Sequence, residues 1–276
     1  MKITQAILPV AGYGTRFLPW TKVVPKELLP IGTAPIIAHL VDECLSVGVS
    51  DICFVISKGK EAIPQYFYEH PELEHELKLR GKSHMLAELK RYDEVNFHVV
   101  YQDDMKGDGH AILQAKDWVK SDEVAILFGD DLIIGEKTGL QQLADAYDDL
   151  IPGSALLCLQ KVPSTSVSKY GIVDIADDKH VFGKVKRVKG LVEKPAPEDA
   201  PSDLGIVGKY IIPRSTFLAL DAIEHGSKDG EVRLIDGLIA QLKDIEIHGC
   251  VFEGTRYDTG TPVSYTHLTL PTNREV

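Results

Sequence analysis

Three short apolar runs constrain the fold of this chain more than any other feature: residues 3–10, 52–56 and 124–128. A strand that is apolar along its whole length offers no face to water, so it belongs in a sheet covered on both sides. Between the first two runs, Ile36, Ile37, Leu40, Val41, Cys44 and Leu45 recur at helical spacing, and Gly48 stops the pattern. A further strand is predicted over 95–101, with helices over 61–68, 72–91, after His110, and over 138–147. Strand and helix therefore alternate through the first half, the order that produces a parallel sheet with helices on both faces. The second half is richer in extended segments, at 155–162, 171–175, 185–192, 205–212 and 245–252. Helices are expected after Ser215, as its cap, and over 234–242. The fold class is α/β: a Rossmann-like mixed, mainly parallel central sheet with helices on both faces.

Ligands of such sheets bind beyond the carboxyl ends of the strands. Loops 11–30, 102–110 and 129–131 all fall there. In the first, Gly12 and Gly14 allow a tight turn and close approach of backbone to ligand. Arg16 and Lys26 add fixed positive charge, and the combination suggests an anion site, with phosphate as the usual anion. An ordinary surface loop accounts for the glycines but not for the added Thr15-Arg16 and Pro25-Lys26-Glu27. No P-loop string occurs. The dinucleotide fingerprint fails because Phe17 stands at its last glycine position, which disfavours a nicotinamide or flavin oxidoreductase.

Asp130 and Asp131 end a buried strand at the same edge, and Asp258 lies in a second acidic loop. Carboxylates so placed suit Mg²⁺, which takes a few carboxylates together with phosphate oxygens. A capping aspartate and an Asx-turn explain the same residues without a metal. Glu193-Lys194 offers an acceptor for a sugar hydroxyl beside a cation for a phosphate, or simply a surface turn. His110 suits either a phosphate contact or a structural role near a helix start.

A net charge of −11 argues against a protein that coats nucleic acid. No apolar run reaches the roughly 18 residues of a membrane span, and the N-terminus has no signal-peptide layout. Cys44, Cys53, Cys158 and Cys250 form no C-x-x-C pair and read as reduced, buried apolar residues. The expected location is the cytoplasm.

Together these strings resemble the sugar-phosphate nucleotidylyltransferases over roughly residues 3–262. The signature G-x-G-T-R-x-x-P is carried by Gly12, Gly14, Thr15, Arg16 and Pro19. Pro25-Lys26-Glu27-Leu28-Leu29-Pro30 and Lys106-Gly107-x-Gly109-His110-Ala111 are similar to the uridylyltransferase form, and Glu193-Lys194-Pro195 and residues 203–208 to the family's sugar-site strings. The resemblance implies the nucleotide-diphospho-sugar transferase type of fold. It also implies transfer of UMP from UTP to glucose 1-phosphate, giving UDP-glucose and pyrophosphate. Ala11, Gly12, Gly14 and Thr15 would face the nucleotide. Arg16 and Lys26 would hold its triphosphate, and Glu27, Gln102 and Gly107 would surround uracil and ribose. Asp130 and Asp258 would ligate Mg²⁺. Gly171, Glu193 and Gly208 would contact glucose, with Asp131 on the sugar side and Lys194 on the phosphate. Arg16, Lys26 and Lys194 would be the catalytic cations.

The resemblance further implies a homo-oligomer. Its expected extent is a catalytic domain over 1–263. Residues 264–276 depart from the family pattern and show no helical periodicity, so an unstructured, foreign ending is expected there, in place of the family's own C-terminal segment. A transferase for dTTP, CTP or another sugar 1-phosphate, and a silent nucleotide-sugar-binding regulator, are the alternatives. Retention of Arg16, Lys26, Asp130, Lys194 and Asp258 together argues against the silent one.

Overall fold

A computed structural model describes residues 3–176, 184–225 and 230–269. The apolar runs form β1 (Gln5–Pro9), β2 (Asp51–Ile56), β3 (Asn96–Tyr101) and β4 (Glu123–Leu127). The ribbon strand β5 (Asp131–Ile134) follows, then β6 (Ala155–Lys161), β7 (Gly171–Ile175), β8 (Val185–Glu193), β9 (Leu204–Pro213), β10 (Ile247–Val251) and β11 (Thr255–Asp258). The main sheet runs β3-β2-β1-β4-β9-β6-β10-β8-β7. Its first four strands are parallel. β9 enters antiparallel between β4 and β6, and the parallel arrangement returns only between β6 and β10. The sheet is thus mixed, and its parallel character belongs to the half that carries the glycine loop.

Side chains alternate between two layers with the period of two that a pleated strand imposes. Leu8, Phe54, Leu127 and Leu156 pack against α1 (Ile36–Ser46) and α4 (Gly139–Tyr147). Their neighbours Ile7, Val55, Ile126 and Leu157 pack against α3 (Asp108–Leu113), α5 (Thr216–Glu224) and α6 (Leu234–Ala240). Thr138 and Gln141 start α4 with a capping box. Ser215 makes no capping bond; its hydroxyl instead accepts from Gln241 Nε2 at 3.1 Å.

The single helix expected over 72–91 is broken. α2 covers Pro71–Leu79, and Gly81 then takes a φ of +68°, which ends the helix. The ending is also corrected in part. α7 (Pro262–Thr269) is helical, with Thr261 Oγ1 accepting from the Ser264 amide and Pro262 in the first turn. Its β-branched composition is weak for a helix, and tertiary contacts hold it. Tyr265 Oη donates to the Pro30 carbonyl at 2.6 Å, its ring meets Phe17 edge-on, and Leu268 reaches the α1 core. Residues 270–276 lie outside the described residues. No described helix is long and apolar enough to cross a membrane.

Candidate active site

β1 and β4 are adjacent and parallel, with Ala6 opposite Ala125 and Ile7 opposite Ile126. Their carboxyl ends therefore deliver the glycine loop and Asp130 side by side. Gly14 has a φ of +63° and opens a 3₁₀ turn over Thr15–Phe17. The loop lines a cavity of about 430 Å³ whose other walls include Gln102, Gly107, Asp108 and Phe128. Asp108 and Phe128 also line a second cavity of about 210 Å³, with Asp130, Asp131, Gly171, Glu193, Lys194 and Gly208. The two spaces share a wall: Ala11, Gly12, Gly14, Thr15, Gln102 and Gly107 line the first, the residues expected around a sugar line the second, and Arg16, Lys26 and Glu27 line neither. A third depression, between Lys137, Asp145, Lys184 and Glu253, holds none of the expected residues.

Lys26 lines neither space but donates at 2.8 Å to Oδ2 of Asp130, which lines the second. Burial alone depresses the ammonium's pKa, but Asp130, Glu27 and Asp258 outweigh it and raise the value. Burial pushes the Asp130 carboxyl up, and the charges of Lys26 and Arg256 overcome it, holding the group below the usual carboxylate range. Asp130 is thus kept ionised beside an ammonium that stays charged.

Asp258 joins them through a two-stranded ribbon, where the sequence pattern predicts only loops. β11 pairs antiparallel with β5, setting Asp258 opposite Asp131. The Thr259 amide and hydroxyl both donate to the Asp130 carbonyl, at 2.8 and 3.2 Å. A Cβ placed on Gly260 would lie 2.7 Å from Asp130 Oδ2 and 2.9 Å from Asp258 Oδ1, so two carboxylates from distant parts of the chain converge around a residue without a side chain. Two hard oxygen donors beside a phosphate-sized cavity fit a magnesium-type ion completed by phosphate oxygens and water. Among the described residues no larger cluster of metal-ligating side chains exists.

Asp131, expected on the sugar side, has both carboxylate oxygens engaged within the protein. Arg256 Nε donates to Oδ1 at 2.5 Å and the Gly208 amide to Oδ2 at 2.7 Å. Burial raises its pKa even so. Arg256 also donates to Tyr170 Oη at 3.2 Å and lies 5.5 Å over that ring. Gly208 sits where the β9–β6 register shifts, and its carbonyl accepts from Phe128 N. A Cβ there would lie 2.5 Å from Asp131 Oδ2 and 2.8 Å from Phe128 Cβ. Gly208→Ala is expected to destabilise the protein by about 1–3 kcal/mol, read as a lower urea midpoint.

The β7–β8 ladder sets Gly171 opposite Glu193. Lys194 follows at a φ of +47°, a conformation that costs a non-glycine residue energy and clusters at functional sites. Its Nζ lies 2.9 Å from Glu193 Oε1. Gln102 is buried, and its amide nitrogen faces the Gly107 carbonyl and His110 Nδ1, each at 3.0 Å, so its carbonyl oxygen is the end open to a ligand. His110 is buried between Gln102 and Gln114, a structural placement. Gly107 has a φ of +102°, and a Cβ there would lie 2.6 Å from the Val232 carbonyl.

Two expectations change in detail. Arg16 is exposed and makes no ion pair among the described residues, so the fold does not bring it onto Lys26 or Asp130. Glu27 is only 1% exposed, and Lys60 Nζ holds its carboxylate at 2.9 Å. Lys60, Lys169, Arg233 and Arg256 carry no sequence signal that points to this site. A lone Lys or Arg in a loop reads as solvated surface, and only the fold buries Lys60 and half-buries Arg233 and Arg256.

A family model described as nucleotidyl transferase matches residues 5–274. The chain belongs to the nucleotidyl transferase family. Members of this family generally work with a divalent metal ion. The chain is 38% identical over 260 residues to UTP–glucose-1-phosphate uridylyltransferase YngB of Bacillus subtilis, covering 94% of this chain and 86% of that protein. It superposes on apo UDP-glucose pyrophosphorylase with a TM-score of 0.88 at 33% identity, covering 97% of each chain. A UDP-glucose pyrophosphorylase complexed with UDP-glucose matches with a TM-score of 0.82 at 32% identity, again over 97% of each.

Proposed function

We propose that the chain transfers UMP from UTP to glucose 1-phosphate, giving UDP-glucose and pyrophosphate. The carrying observation is the wall of Asp108 and Phe128 that the two cavities share, with Asp130 lining the second cavity and bonded to Lys26. A nucleotide in the first space and a sugar phosphate in the second would meet across that wall. The nucleotidyl transferase relatives supply the same reading.

A phosphate oxygen of glucose 1-phosphate attacks the α-phosphorus of UTP. One P–O bond forms, the bond to the bridging oxygen breaks, and pyrophosphate leaves with the electron pair. The nucleophile is already an anion, so no side chain need remove a proton. The obstacle is repulsion between two polyanions, and positioned cations lower it. Lys26 serves the triphosphate, Lys194 the sugar phosphate, and Arg16 the outer phosphates once the loop closes on them. Gly171, Glu193 and Gly208 face the glucose, and Gln102 and Gly107 the uracil and ribose, with Glu27 acting through the loop it anchors. Asp130 and Asp258 would hold Mg²⁺, which when bound neutralises phosphate charge and favours departure of pyrophosphate. We place this chemistry in the cytoplasm and in a homo-oligomer, which sedimentation velocity reads directly.

Pyrophosphate release from UTP and glucose 1-phosphate tests the reading. Release is expected with Mg²⁺ and its loss with EDTA. Faster release from dTTP or CTP favours the alternative nucleotides, and none with any pair favours a silent binding protein.

A further inference from the structure

Ser57 and Lys60 belong to no motif, yet both are buried and both reach the glycine loop. They are the first and last residues of a tight turn after β2, closed by the Lys60 amide donating to the Ser57 carbonyl at 3.1 Å. Gly59 stands at the third position with a φ of +91°, as a type II turn requires. From this turn Lys60 Nζ donates to the Val10 carbonyl at 2.5 Å and to the Gly12 carbonyl at 2.6 Å. Ser57 Oγ donates to the carbonyl between them, that of Ala11, at 2.7 Å.

Three successive carbonyls are thus held by the two buried ends of one turn. In an extended strand they would alternate between two sides. A trans peptide unit directs its N–H opposite to its C=O, so the amides of Ala11, Gly12 and Tyr13 are aimed away from the turn. All three residues line the nucleotide-side cavity. Among the described residues, no group accepts a hydrogen bond from these amides or from that of Gly14. Successive amides facing one way form an anion-binding concavity. The remaining Lys60 donor goes to Glu27 Oε2 at 2.9 Å, next in sequence to Lys26. One ammonium therefore fixes both the amide face and the segment carrying Lys26, while Glu27 neutralises its charge.

We propose that Ser57 and Lys60 are positioning residues that turn the amides of residues 11–13 toward acceptor oxygens of the bound nucleotide. The inference rests on the nucleotide reading above. Neither side chain touches substrate; both act through the carbonyls they hold.

Ser57→Ala removes one donor with little change in volume and is the variant chosen to fold. Lys60→Met combined with Glu27→Gln removes the ammonium without leaving a carboxylate buried and unpaired. Unchanged far-UV circular dichroism is the check on folding. Ser57→Ala is expected to raise the KM for UTP about tenfold, and the pair variant further, with the KM for glucose 1-phosphate within about twofold of the parent. Titration calorimetry with UTP and with uridine locates the acceptors. Loss for UTP alone puts them on the phosphates, and equal loss for both puts them on the nucleoside. A folded Ser57→Ala protein with parental UTP affinity, or with both KM values raised alike, overturns the inference alone. A parent protein that binds no nucleoside triphosphate overturns the functional reading and the inference with it.

Discussion

Replacing Lys26 by alanine is expected to lower turnover by about 100- to 1,000-fold, the usual effect of deleting a preorganised charge aimed at a phosphoryl transition state. Lys26 contacts Asp130, which lines the smaller cavity, and the surrounding carboxylates keep it protonated. The ammonium is therefore in place before substrates arrive and needs no reorganisation to act. Steady-state pyrophosphate release with saturating UTP and glucose 1-phosphate reads the loss in kcat. Lys26→Arg keeps the charge but changes its shape from a compact ammonium to a planar fork, and only partial recovery is expected. Near-parental turnover in the alanine variant would remove Lys26 from the catalytic set.

The second large effect is on stability. Lys209 has no solvent exposure, and its Nζ lies 2.7 Å from Glu43 Oε2 in the layer between α1 and the sheet. Glu43 Oε1 accepts from the Leu140 amide at 2.7 Å, so the same carboxylate ties down the start of α4. Lys209→Met leaves that carboxylate buried without its cation and is expected to cost about 3–5 kcal/mol. Lys209→Met with Glu43→Gln removes both charges while keeping an acceptor for Leu140. It should recover more than half of the loss. Urea denaturation of the three proteins measures this, and a loss below about 1 kcal/mol in the single variant would show that the pair is not tightly coupled.

Much of this arrangement was legible in the residues. The apolar runs identified the strands because burial on both faces leaves no polar positions, and the glycine loop and Asp130 could be placed because β1 and β4 end at the same edge. Short or weak elements were not legible. β5 and β11 are four residues each, and Asp131 and Asp258 pair across more than a hundred residues, so no local pattern announces the ladder. Lys209 sits between Gly208 and Tyr210 in a strand whose sequence gives no sign that the ammonium faces the core. α7 has poor intrinsic propensity, yet its Thr261-Pro262 start was a readable cap. Lys60 looks like any loop lysine until the fold brings Val10 and Gly12 against it.

The β5–β11 ribbon sets a timetable for the making of this protein. The glycine loop, Lys26 and Asp130 all lie in the first half of the chain, on neighbouring strands that can pair early. Asp258 arrives only when the last ribbon strand has been synthesised and has closed a very long loop, a step slowed by chain entropy. A growing chain can thus bring the glycine loop and Asp130 together well before both carboxylates are present. The pairing of the two carboxylates is therefore late in assembly, and it comes with completion of the ladder that links the middle of the chain to its end.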